Sequence, residues 1–402
     1  MSDTNSYCSE KTDKFPIAIE NIEYWFLMQK DNQKIYIIGN VSKDRYIKVY
    51  EKNLQIVMSV LKSFDGKSSL NQIDNMIKTK YGKSVDVNQI YLKAEKAGLI
   101  CGSGGSNEKS EIKALSLPVF SVNIPKLSTN IKKIIGALWR LYTVIGIVVI
   151  LFGAFVLIKN GSNNILTMDR TILLDNSYLK GFAATLLMMV PSLLMHEISH
   201  FAAAISSSLD PSKVSLNLYL GIMPIWYVKI PGIYTIKFYK RIMVLVSGVL
   251  TNFVIASSVI IVTFFGQGSI DSDFLLKIGT ANFFAALFSL NPFTLSDGYF
   301  IFATVFKKPN LRFNVLKKIM NPSIKAYRLN YYDVIYILTG IVALSCSLFS
   351  TYWWGFNIIY EIFAMILKPP LEHYATYLFI ISVSVIAVTG MILKGKNYMQ
   401  KI

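Results

Sequence analysis

Up to about residue 137 the apolar residues come in short runs broken by charges, and beyond it they gather into long stretches. Three β-rich runs, Tyr24–Met28, Ile35–Ile38 and Tyr46–Tyr50, are separated by polar turns and predict a three-stranded sheet. Helical spacing then takes over. Leu54, Val57, Met58, Val60 and Leu61 share one face, and Gly66 ends that helix. A second helix begins near Ser68 or Ser69, with Leu70, Ile73 and Ile77 turned inward. A third runs from about Asp86 through Ile90, Leu92, Ala94 and Ala97 to a stop at Gly98.

Residues 102–125, with Gly102-Ser103-Gly104-Gly105-Ser106 and two prolines, read as a linker. Six apolar runs follow, at roughly 138–158, 179–205, 241–266, 274–292, 332–350 and 374–393, each about the length needed to cross a bilayer. The stretch Trp353–Leu367 is apolar too. Its paired tryptophans suit the headgroup boundary, and an interfacial or re-entrant segment is expected there. Between the second and third runs, residues 214–236 are apolar but interrupted by Gly221, Pro224 and Pro231-Gly232, which predicts a hairpin or short sheet held at the membrane. Unpaired strand edges are not tolerated against lipid, so that backbone must face protein, a cavity or a bound peptide.

The predicted fold is thus an α-helical multi-pass membrane protein of about six spans, with a membrane-associated β segment and an N-terminal cytosolic α/β domain. The expected organisation is a small domain at 15–105, a linker and amphipathic lead-in at 106–137, and a membrane domain at 138–402. Composition agrees. Of 402 residues, 53% are hydrophobic and 16% charged, where soluble domains average about 25% charged. The net charge of +17 lies mostly beyond residue 137, where Lys and Arg cluster in the connections 206–240 and 293–331. Positive connections mark the cytosolic side, so the charge reads as an orientation label for a cytoplasmic-membrane protein and not as a nucleic-acid surface. Cys8, Cys101 and Cys346 form no paired framework, and the first twenty residues lack the apolar core of a secretory signal.

The second apolar run contains His196-Glu197-Ile198-Ser199-His200. On a helix, positions i and i+4 share a face, so both imidazoles can bind one zinc ion, and the glutamate between them can take a proton from water on the metal. A charged group near the middle of a membrane helix costs about 3 kcal/mol even on a lenient scale, so three titratable residues in five positions call for a compensating ligand. A catalytic zinc usually has three protein ligands. His373 sits by the last run on the predicted outer side, and Cys8 and Cys101 belong to the soluble domain. Asp297, in Asn291-Pro292-Phe293-Thr294-Leu295-Ser296-Asp297-Gly298-Tyr299-Phe300, is the better third candidate.

These residues resemble the site-2 proteases, intramembrane zinc metalloproteases, and among them most closely the peptide zinc metalloprotease branch. The likeness rests on HEISH in a membrane helix, on Asn291-Pro292 followed by Asp297-Gly298-Tyr299, and on Ser247-Gly248-Val249-Leu250-Thr251-Asn252, and covers roughly residues 179–303. Val249 and Ser296 depart from the family's usual proline and hydrophobic residue. The resemblance implies His196, His200 and Asp297 as zinc ligands, Glu197 as general base, and Asn252 and Asn291 on the substrate side. The strands-then-helices order of the first hundred residues resembles the PqqD-like winged-helix domains, which implies a leader peptide lying along residues 45–52 and 86–98. The partners so implied are a membrane-associated peptide and the bilayer, with no nucleic acid. The expected activity is processing of a ribosomally made modified peptide. Cleavage of a membrane-bound regulator of the anti-sigma type, or a non-enzymatic zinc-containing immunity or export role, are the alternatives.

Overall fold

The computed structural model describes residues 15–30, 33–82, 85–102, 116–159, 173–219, 223–266, 272–293, 296–308, 311–320 and 329–382. The chain is mostly helical and divides into two compact units. The first comprises residues 1–141, 197–247 and 301–313, the second residues 142–196, 248–300 and 314–402.

The first unit begins with an antiparallel sheet of β1 (Glu23–Lys30), β2 (Gln33–Asn40) and β3 (Arg45–Tyr50), in that order. Three helices follow: α1 (Glu51–Lys62), α2 (Leu70–Tyr81) and α3 (Val87–Lys96). Ile38 of the central strand is buried with Leu54, Val57, Val60 and Leu61 of α1, Ile73 and Ile77 of α2, and Tyr91 and Ala94 of α3. Local chemistry sets the helix ends. Ser69 accepts from the Gln72 N–H while the Gln72 side chain accepts from the Ser69 N–H, and Gly82 closes α2 at φ 63°. Asp86 caps α3 through the Gln89 N–H. Arg45 donates to the Gly98 carbonyl at 2.7 Å, tying β3 to the end of α3.

A second sheet, β4 (Ser116–Asn123), β5 (Lys213–Tyr219) and β6 (Met223–Lys229), is antiparallel in that order. The apolar segment 214–236 therefore contains the expected hairpin. Its third strand corrects the linker reading of 106–137, because residues 116–123 pair with β5. Pro118 had marked that stretch as a breaker, but β4 is an edge strand with a register shift between Pro118 and Phe120, where a residue without an N–H is tolerated. The glycine-rich stretch 103–106 lies outside the described residues.

The remaining helices are α4 (Thr129–Lys159), α5 (Tyr178–Ser206), α6 (Phe238–Phe265), α7 (Ser272–Ser289), α8 (Asp297–Val305), α9 (Leu311–Met320) and α10 (Tyr331–Ile366), with a further helix over 371–382. Among the described residues α4, α5 and α6 are long and apolar enough to cross a membrane. At 1.5 Å per residue their 31, 29 and 28 residues reach more than about 40 Å, against a hydrocarbon core of about 30 Å. The expected interfacial segment at 353–367 is no separate element. It continues the helix that starts at Tyr331, since nothing between 350 and 366 breaks it and a Cβ at Gly355 would meet no neighbour. Past residue 382 the sixth expected span lies outside the described residues.

Within the second unit, α4 approaches α6 at two glycines. A Cβ at Gly146 would lie 2.8 Å from Val254, and one at Gly153 would lie 2.7 Å from the Ser257 Cβ. Small residues at such a seam let backbones approach closely, the usual basis of helix association where lipid removes the hydrophobic drive. Glu361 of α10 accepts the Leu179 N–H at 2.8 Å, placing a carboxylate at the N-terminal turn of α5 where the helix dipole favours it.

Candidate metal centre

Both histidines and the glutamate of the motif belong to a single turn of α5, so helix geometry alone sets their spacing. Their candidate ligand atoms lie within 4.8 Å of one another, with His196 and His200 buried and Glu197 half-buried.

In the second unit the His196 ring is gripped on three sides. Its Nε2 is 3.0 Å from the Asp297 Oδ2, and its Nδ1 is 3.0 Å from the Asn252 Nδ2. Its third neighbour is Gly248 of α6, where a Cβ would come within 2.5 Å of the ring carbons Cδ2 and Cε1. Only glycine leaves room for the ring. Asp297 opens α8, and the turn before it is braced by its own side chains. Asn291 accepts the Phe293 N–H at 2.9 Å, Ser296 donates to the Asn291 carbonyl at 2.6 Å, and Tyr336 of α10 donates to the Pro292 carbonyl at 2.8 Å. Gly298 packs on the Leu290 carbonyl so tightly that no Cβ fits. Asn291, expected on the substrate side, thus has its Oδ1 bonded within this turn.

In the first unit, His200 Nδ1 lies 2.7 Å from the Val244 carbonyl and 3.0 Å from the Ser247 Oγ. A carbonyl can only accept, so Nδ1 carries a hydrogen, and in the neutral ring Nε2 then has the lone pair that a metal ligand requires. Ser247 donates its own hydrogen to the same carbonyl at 2.7 Å. The Glu197 Oε2 accepts the Val228 N–H at 2.9 Å, which ties the carboxylate to the outer side of edge strand β6.

No family model, no curated protein and no solved structure matches this chain. What its site can do therefore has to be argued from the residues themselves. Two imidazoles and a carboxylate are the donor set of a zinc hydrolase site. Two donors on a tetrahedral zinc with bonds near 2.0 Å lie about 3.3 Å apart, and the His196–Asp297 separation of 3.0 Å suits one such edge.

Several polar groups around the site escaped sequence reading. Asn282 of α7 is buried and donates to the Ser192 Oγ at 3.0 Å, one turn before His196. The available signal was an amide standing alone in the otherwise apolar run Ala281–Phe288. The Val244 carbonyl and the Val228 N–H left no signal, since any residue supplies them.

Proposed function

We propose that this chain is an intramembrane zinc metalloendopeptidase of the site-2 protease type, with His196, His200 and Asp297 holding the metal and Glu197 as general base. The contact that supports the reading is Asp297 at 3.0 Å from His196, a carboxylate and an imidazole distant in sequence and near enough to share one metal ion. The His200 tautomer and the glycine at 248 add to it.

Zinc, when bound, polarises a carbonyl and lowers the pKa of water toward 7. Glu197 accepts the proton of the attacking water as its oxygen joins the peptide carbonyl carbon. As the C–N bond breaks, Glu197 returns that proton to the leaving amine, so the products are a carboxylate and an amine. Asp297 and the two imidazoles keep their places throughout, held by the bonds of Asn291, Pro292 and Ser296 beside Asp297 and by the Val244 carbonyl at His200. A helical substrate hides its carbonyls, so the scissile segment must be extended; the outer edge of β6, whose Val228 N–H already binds Glu197, is the place for it to pair.

The reading extends to a six-span topology with the N-terminal domain in the cytosol. That domain is taken as a PqqD-like winged-helix module that receives a leader peptide along β3 and α3. The substrate is then a membrane-associated, ribosomally made peptide. The test is zinc content and peptide cleavage by the purified full chain. Glu197→Gln is expected to retain zinc and lose cleavage; undiminished cleavage in that variant removes the protease assignment.

A further inference from the structure

Asn252 and Asn282 are both almost wholly buried, at 0% and 1% exposure, and the side-chain oxygen of each has no hydrogen-bond partner. They line one small cavity together with Met189, Ser192, Leu193 and Ala285, and this cavity is too narrow to admit a water molecule. A buried amide oxygen without a donor is rare, and two on side chains that line one cavity call for a common explanation.

The orientation of the Asn252 amide supplies it. As placed, its NH2 points at His196 Nδ1, which requires a lone pair there and puts the ring hydrogen on Nε2, facing Asp297. In that tautomer Nε2 has no lone pair to give a metal. Oxygen and nitrogen of an amide occupy nearly the same volume, so a half-turn costs no space. After it, Oδ1 accepts from Nδ1–H, and the NH2 enters the cavity where the Asn282 oxygen lacks a donor. Every bond then runs one way. His196 donates to Asn252, Asn252 to Asn282, Asn282 to the Ser192 Oγ at 3.0 Å, and Ser192 to the Met188 carbonyl at 3.2 Å.

We propose that Asn282 is a positioning residue for His196: by accepting from the turned Asn252 amide, it holds the imidazole in the tautomer whose Nε2 binds the metal. The inference rests on the zinc reading above. It assigns a role to a helix that the motif residues do not include, and it makes Asn252 a hydrogen-bond acceptor toward His196 rather than a donor.

The experiment uses the full chain in detergent or nanodiscs, labelled with 15N at its three histidines, and zinc with a competing chelator as the probe. In the wild type, zinc addition is expected to give a hydrogen-bonded Nδ1–H signal for His196. Asn282→Leu is expected to lose that signal and bind zinc about 10-fold more weakly, the usual scale for partners that orient a ligand. Asn282→Asp, whose carboxyl oxygen still accepts, is expected to restore both. If Asn282→Leu does not fold, Asn282→Ala deletes the same acceptor without adding bulk and takes its place. Wild-type zinc affinity together with an unchanged Nδ1–H signal in the acceptor-deleted variant overturns the relay and leaves the zinc reading standing. A wild-type chain that binds no zinc overturns both.

Discussion

Adding one methyl group to Gly248 is the most direct test of the site's geometry. A Cβ there would sit 2.5 Å from the His196 ring carbons, whereas carbon atoms rest at about 3.5 Å or more. One of the two must yield by about 1 Å. Helix α6 cannot supply the whole shift, because Gly146 and Gly153 of α4 lie so near Val254 and Ser257 that neither position has room even for a Cβ. The ring therefore moves, and the 3.0 Å contact with Asp297 opens. Metal sites tolerate about 0.2 Å in their bond lengths, so a displacement of this size removes a ligand. Gly248→Ala is expected to weaken zinc binding by at least about 100-fold, while overpacking costs about 1–3 kcal/mol of stability. Chelator competition on the purified chain measures the first and thermal unfolding the second. Gly66→Ala is the control: its Cβ would meet Ile17 at 2.6 Å in the N-terminal domain, so it is expected to lower stability without changing zinc affinity. A Gly248→Ala chain with wild-type zinc affinity refutes the placement of the ring against α6.

Asp297→Ala is expected to abolish stoichiometric zinc binding, as read by metal analysis of the purified variant; full zinc content there means the third ligand lies elsewhere. In the N-terminal domain, burial, aided by nearby Asp44, pushes the Tyr46 hydroxyl up to about 12. The folded value exceeds the ordinary value of about 10, so the stabilisation is complete below pH 10 and declines as pH rises toward 12. Tyr46→Phe should flatten that alkaline decline in thermal unfolding of the full chain, and an unchanged slope would locate it in another group. Ser69→Ala removes one half of the α2 capping box and is expected to cost about 1 kcal/mol in chemical denaturation; a loss below the error of the measurement would mean that the cap contributes nothing.

The sheet and the three helices near the N-terminus were legible because each boundary has its own chemistry: Ser69 and Asp86 accept backbone hydrogens, and Gly82 takes a left-handed turn. The strand at 116–123 was not legible, since Pro118 reads as a breaker unless the pairing of its neighbours with β5 is known. The continuity of α10 through Trp353 and Trp354 escaped for the opposite reason, as nothing in an apolar run says whether it turns back or goes on. At the site, His196, Glu197 and His200 stood out as polar residues in motif spacing on an apolar background, Asp297 by its place after the fourth apolar run, and Asn252 through the family resemblance alone. Asn282 had no motif to belong to, and its proximity to Ser192 is a product of how α5 and α7 pack.

The seam between α4 and α6 has a further consequence once angles are counted. At 100° per residue, Gly248 and Asn252 stand only about 40° apart on α6, and both meet the His196 ring. Val254 and Ser257, which meet the glycines of α4, lie about 190° from the middle of that pair, on the opposite side of the cylinder. Helix α6 is thus a wedge driven between α4 and an imidazole. Thickening that seam, for instance with a large side chain at Gly153, pushes the opposite face of α6 toward the ring, so a substitution remote from the motif residues can act on the histidine as directly as one beside it.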